Sequence, residues 1–274
     1  MSETGHDEEL PAWSLPTSGA AHAVRPAWWS ERIDREWAWG SSTGEGVAVA
    51  VVDSGVDGEH PAVGGIQRAV AVDDDAESII DDEEGDVCGH GTACAGIIRA
   101  LAPGCDLYSA RVLGPGYTGS GGALLDGLEW AIESGARVVN LSLSTTKSEF
   151  VGRLHELADR AYFQRTVLIA SAHNMPVNSY PWRFASVISV GSHDGDGERE
   201  FYVNADPPVE FFARGVDVEV AWLGKARARS TGNSFAAPHI AGMCALILAK
   251  HPELTPFELK SVLAQIASTG GNDG

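Results

Sequence analysis

Three short segments of this chain carry side chains that can cooperate in acyl transfer: Asp53 in VAVAVVDSGVDGEHP, His90 in GHGTACAGII and Ser234 in TGNSFAAPHIAGMCAL. A hydroxyl is a poor nucleophile near neutral pH, so Ser234 needs a base such as His90 to take its proton. His90 in turn needs a carboxylate such as Asp53 to fix its tautomer. Each segment is weak evidence alone. An Asp after an apolar strand commonly serves a turn or a cap, and a His between glycines is often a packed or surface residue. Together, in one order, they supply an orienting acid, a base and a nucleophile.

That order, and the segment GNSFAAPHIAG above all, resembles the subtilisin-like serine proteases, the subtilase family, over about Gly46 to Ala267. The nucleophile motif matches at Gly232, Ser234, Ala236, Pro238, His239, Ala241 and Gly242. The resemblance implies a serine endopeptidase and a three-layer α/β sandwich with a central, mostly parallel sheet flanked by helices. It makes Asn174, in IASAHNMP, the oxyanion donor with the backbone N–H of Ser234 as the second; the plain alternative is an Asn closing a loop. By the same resemblance, Gly119, Ser120 and Gly121 of the GSGG segment form an extended edge for substrate backbone. Ser142, Leu143 and Ser144 form the opposite wall, Ser144 and His173 border the pocket for the side chain before the scissile bond, and Ala172 also belongs to the substrate-binding residues.

The chain also departs from the family. Asn233 and Phe235 stand where Thr and Met are usual, and the Phe235 ring can narrow the leaving-group side. Ser144 and His173 replace glycines, and MPVNSYPWRF is shorter than its counterpart in secreted relatives, so a smaller or reshaped primary pocket is expected. IIRALAPGC lacks the longer loop that carries calcium in many secreted relatives, and no spacing resembles an EF-hand. No required metal or cofactor is expected.

The elements that must position these residues alternate: apolar runs of four to eight residues with amphipathic stretches, the pattern of a parallel sheet with helical crossovers. Strands are expected over Val47–Val52 and Asp106–Leu113, then in VVNLSLS and TVLIASA; helices over Gly122–Ser134, over 150–163, from near Ser234 through Lys250, and in PELTPFELKSVLAQIA. Asp53, Ser142 and Asn174 fall at strand ends, where the active sites of such sheets gather. The helix starting near Ser234 is apolar throughout and brings its positive end to the nucleophile.

At 274 residues and 44% hydrophobic, the chain can bury one large core. The domain reading is an N-terminal extension over 1–45, a catalytic domain over 46–267 and a disordered tail over 268–274. The formal net charge of −19 argues against nucleic acid as a partner. Much of that charge lies in Asp73–Asp86, either a solvated loop or a field favouring basic peptide or protein substrates. No apolar run reaches the roughly 20 residues that span a bilayer, so no membrane partner is expected. The N-terminus is acidic where a secretory signal is basic then apolar, so a cytoplasmic location is expected, with Cys88, Cys94, Cys105 and Cys244 as reduced thiols. The Pro- and Trp-rich extension either lies in the chain's own cleft as an inhibitory arm or hugs the surface through Trp13, Trp28, Trp29 and Trp37. The leading function is selective processing of a peptide or protein; the alternative is a catalytically restrained peptide-binding or regulatory module on a protease fold.

Overall fold

The computed structural model describes residues 32–73, 78–206 and 208–268. The catalytic segments lie in one compact unit that begins at Asp34. Its elements in chain order are α1 (Arg35–Ala38), β1 (Ala48–Asp53), β2 (Arg68–Asp73), β3 (Ser78–Asp81), α2 (His90–Leu101), β4 (Asp106–Arg111), α3 (Gly121–Glu133), β5 (Val138–Leu141), α4 (Val151–Phe163) and β6 (Val167–Ser171). There follow β7 (Ile188–His193), β8 (Phe201–Val203), β9 (Phe211–Arg214), β10 (Val218–Trp222), β11 (Ala226–Ser230), α5 (Asn233–Lys250) and α6 (Pro256–Ile266).

Among the described residues nine strands form one sheet, ordered β3-β2-β4-β1-β5-β6-β7-β9-β8. The seven inner strands run parallel, and β3 and β8 add antiparallel edges. Central strands are covered on both faces and therefore read as mostly apolar runs: Val49 to Asp53, Val138 to Leu141 and Val167 to Ser171 are all buried. One core cluster packs α3 and α4 on the sheet through Leu124, Leu128, Leu154 and Leu157. Strand β1 lies between β4 and β5, so the chain crosses over it on the way from β4 to β5. That reversal opens a crevice beyond the carboxyl ends of the strands.

Helix α5 is buried from Phe235 to Leu248 without a polar face, which is why its sequence shows no amphipathic stripe. Burying each of its large side chains, Ile240, Leu246 and Ile247 among them, contributes about 1.5–3 kcal/mol. Helix α6 starts with Pro256 at its first position and a reciprocal cap. Thr255 Oγ1 accepts from Glu258 N at 3.3 Å, and Glu258 Oε2 accepts from Thr255 N at 2.8 Å.

Two expectations need correction. Gly121 is not extended: it opens α3 just before the expected Gly122, because Ser120 accepts from Ala123 N at 2.8 Å and caps the helix. The acidic stretch is not simply a solvated loop. Ser78–Asp81 pairs as an edge strand with Val70–Asp73, Asp82 is bound by Arg111 at 3.0 Å, and Asp86 is consumed inside the site. Trp37 stacks on His251 at 4.0 Å between ring centres, while Trp13, Trp28, Trp29 and the rest of the extension through residue 31 lie outside the described residues. Ser268 is tied by its N–H to Phe201 O at 2.7 Å; 269–274 lie outside the described residues.

Candidate active site

Strand β1 ends by delivering Asp53 to the crevice floor, fully buried. Its Oδ1 accepts from Ser54 N at 2.8 Å, and both oxygens lie within hydrogen-bond distance of His90 Nδ1, at 2.8 and 2.9 Å. A carboxylate can only accept, so His90 carries its proton on Nδ1 and presents a bare Nε2 to the cavity. Burial acts to lower the affinity of His90 for a second proton. The charge and hydrogen bond of Asp53, with the charge of Asp86 added, outweigh it and leave the pKa above 6.5.

The GHG segment is dictated by close approach. A β-carbon at Gly91 would lie 2.0 Å from Gly55 O, and Gly89 has φ +94° with the Trp222 ring packed against it. Asp86 then supplies the cap that glycine cannot. Its Oδ1 accepts from Cys88 N and Gly89 N at 2.9 and 2.7 Å, and Oδ2 accepts from Thr92 N at 2.8 Å. Ser54 Oγ donates to Asp86 at 2.8 Å and accepts from Gly91 N at 3.1 Å. This second serine beside Asp53 is fully buried and its hydroxyl proton is committed, so it is not a nucleophile.

Ser234 stands at the second position of α5. Pro238 has no N–H to give the carbonyl four residues earlier, and that freed carbonyl is Ser234 O. Ser142 Oγ donates to it at 2.8 Å, and the Cys94 thiol lies 3.6 Å away. The backbone of Ser234 is thus pinned by the residue that follows β5, and Ser234 lines the cavity. Burial, with the charge of Asp53, pushes the Cys94 thiol well above its ordinary value, so it stays protonated beside the site. No hydrogen bond joins Ser234 Oγ to His90 among the described residues; such bonds often close only when substrate binds.

Asn174 follows β6 and accepts on Oδ1 from Asn233 N at 2.9 Å, which leaves Nδ2 as the free donor. A β-carbon at Gly232 would sit 3.3 Å from Ser234 Oγ and 3.5 Å from Asn174 Nδ2. Glycine there keeps open the space between the Ser234 hydroxyl and the Asn174 amide. His90, Ser234 and Asn174 line one cavity of about 370 Å³ with Gly119, Ser120, Gly121, Ser142, Leu143, Ser144, Ala172 and His173. Tyr117, at φ +60° and half exposed, meets His90 edge-on at 6.0 Å, with Phe235 at 5.3 Å. Tyr117, Leu124 and Lys147 also line the cavity; sequence does not single them out as site residues, since only the fold brings two loop residues and the first turn of α3 together there. Ser144 Oγ donates to Ser179 Oγ at 2.9 Å, and Trp182 Nε1 donates to the same oxygen at 2.8 Å. All four cysteines are free thiols.

Residues 44–274 match the subtilase family. M-protease of Shouchella clausii (strain KSM-K16) is 32% identical over 241 residues, covering 84% of this chain and 61% of the relative. Subtilisin Savinase of Lederbergia lenta is also 32% identical over 241 residues, covering 84% of this chain and 86% of the relative. Among solved structures, a cold adapted subtilisin-like serine proteinase matches with a TM-score of 0.68 at 28% identity, over 82% of this chain and 83% of that one. A buried carboxylate–imidazole pair, Asp53 and His90, lies beside a cavity that Ser234, at a helix start, also lines. With these relatives, the chain belongs to the subtilase family of serine endopeptidases.

Proposed function

We propose that this chain hydrolyses peptide bonds through an acyl-enzyme on Ser234. Ser234 Oγ attacks the carbonyl carbon while its proton passes to His90 Nε2. Asp53 holds the imidazole in the reactive tautomer and stabilises the imidazolium. The oxyanion is met by Asn174 Nδ2 and by the N–H of Ser234, one of the first-turn amides of α5 that have no partner within the helix. His90 then gives its proton to the leaving amine, and water repeats the sequence to release the acid. The observation that carries this reading is the Asp53–His90 pair facing the same cavity as Ser234 and Asn174.

Selective processing of a peptide or protein is the role this cavity favours. The Ser144–Ser179 hydroxyl bridge and His173 occupy room where glycines would leave a deeper pocket, so small side chains before the scissile bond are expected. A neighbouring cavity shares Val112, Leu113, Gly119 and Ser120 and is lined by Asp73 and Arg111, a mixed-charge extension for the rest of a basic peptide. The catalytic domain spans 46–267, and the extension before it, which through residue 31 lies outside the described residues, acts as an inhibitory arm. Removing residues 1 to about 25 is then expected to raise activity; unchanged kinetics in the folded, shortened chain would remove the inhibitory role. A peptide-library cleavage profile with Ser234→Ala alongside tests the whole reading. Cleavage after small residues that Ser234→Ala abolishes supports it. Peptide bound without turnover, equally by both proteins, would replace it with a peptide-binding module.

A further inference from the structure

Asn233 is fully committed. Its Oδ1 accepts from Ser192 N and Ser192 Oγ, both at 2.9 Å, and its Nδ2 donates to Ala172 O at 3.1 Å and His173 O at 3.4 Å. A side-chain amide has two acceptor sites and two donor hydrogens, and all four are used. The orientation is unambiguous, because a backbone N–H can only donate and backbone carbonyls can only accept. The backbone N–H of the same residue donates to Asn174 Oδ1. One residue therefore joins β7, the loop after β6 and the first turn of α5. Its side chain holds the two carbonyls before Asn174, and its main chain turns the Asn174 amide so that Nδ2 faces Ser234. A hydroxyl side chain, with one hydrogen to give, cannot hold both carbonyls and also accept twice from Ser192.

We infer that Asn233 is a positioning residue for the oxyanion donor, acting on the reaction through Asn174; this rests on the reading of Asn174 and Ser234 given above. A donor displaced by about 1 Å loses up to about 10²-fold in rate, and a contact made only in the transition state appears in kcat and not in KM. The test is a double-mutant cycle of Asn233→Ala and Asn174→Ala, with kcat and KM measured on a peptide amide by the full chain, and Asn233→Ser as the second variant should Asn233→Ala not fold. The expected result is a fall of about 10- to 100-fold in kcat with KM changed less than about twofold. In the Asn174→Ala background the same substitution should cost less than about threefold, since the group it positions is gone. An equal loss in both backgrounds, or a loss carried by KM, would overturn the inference and leave Asn233 as packing. If Asn174→Ala alone leaves kcat unchanged while Ser234→Ala abolishes turnover, the oxyanion assignment itself falls, and the inference with it.

Discussion

The two sides of the cavity are built from opposite chemistry. On the β1–α2 side the active groups are organised by carboxylates: Asp53 holds the imidazole of His90, and Asp86 gathers three backbone N–H groups and the Ser54 hydroxyl. On the β6–α5 side the polar contacts around Asn174 come from amides, hydroxyls and backbone, through Asn233, Ser192 and Ser142. The difference follows from what each side handles. A group that must become cationic during the reaction needs fixed negative charge behind it. A position where an oxyanion develops needs neutral donors, because a carboxylate there would repel it.

The substitution expected to do most damage is Asp53→Asn, which keeps the shape of the charged side and removes its charge. Turnover should fall by about 10⁴-fold with little change in KM, read by steady-state kinetics on a peptide amide. A loss under tenfold would mean that charge is not what this side supplies. Next, Asn174→Ala should lower kcat by about 10² to 10³, the range typical of a lost oxyanion donor, subtilisin's among them. The isosteric Asn174→Asp should lose at least as much; retention of activity with a carboxylate at 174 would break the contrast between the two sides.

Asp86→Asn sharpens it through pH. His90 works as a base only when neutral, so kcat/KM rises with pH through its pKa, which lies above 6.5. Asp86 contributes to that raise together with Asp53, while the nearby Cys94 thiol and Tyr117 phenol are both held protonated. Removing the Asp86 charge makes the imidazolium easier to deprotonate, so the acid limb should move to lower pH. A limb that stays or moves up would contradict this. The weakened cap should also cost about 0.5–2 kcal/mol in urea unfolding. The smallest effect is expected at the rim. Tyr117→Gly removes a left-handed non-glycine residue and its ring from beside His90, and should raise kcat/KM by about tenfold for bulky peptides while leaving small ones unchanged.

Both sides are legible in sequence, and only in part. Asp53, His90, Ser234 and Asn174 stand out because their flanking glycines and apolar runs are needed for close backbone approach. Asp86 and Ser54 do not, and Asn233 stands out only as a departure from Thr and not as a clamp, since a cap or clamp is defined by what the folded chain brings to it. The GSGG segment resembles an extended edge, but a Ser before Gly-Gly-Ala-Leu-Leu is also a helix cap, and the Ser120 cap starts α3 at Gly121. The two isoleucines inside the acidic stretch were a strand signal masked by the charge around them. The parallel sheet was legible because its central strands are apolar on both faces.

The most direct test of the account is fluorophosphonate labelling of the full chain, and of the chain lacking residues 1 to about 25, with the adduct located by mass spectrometry beside Ser234→Ala and His90→Ala. One adduct is expected, on Ser234, lost in both variants, with Ser54 unlabelled. An adduct on Ser54 or elsewhere, or none in either form of the chain, would contradict it.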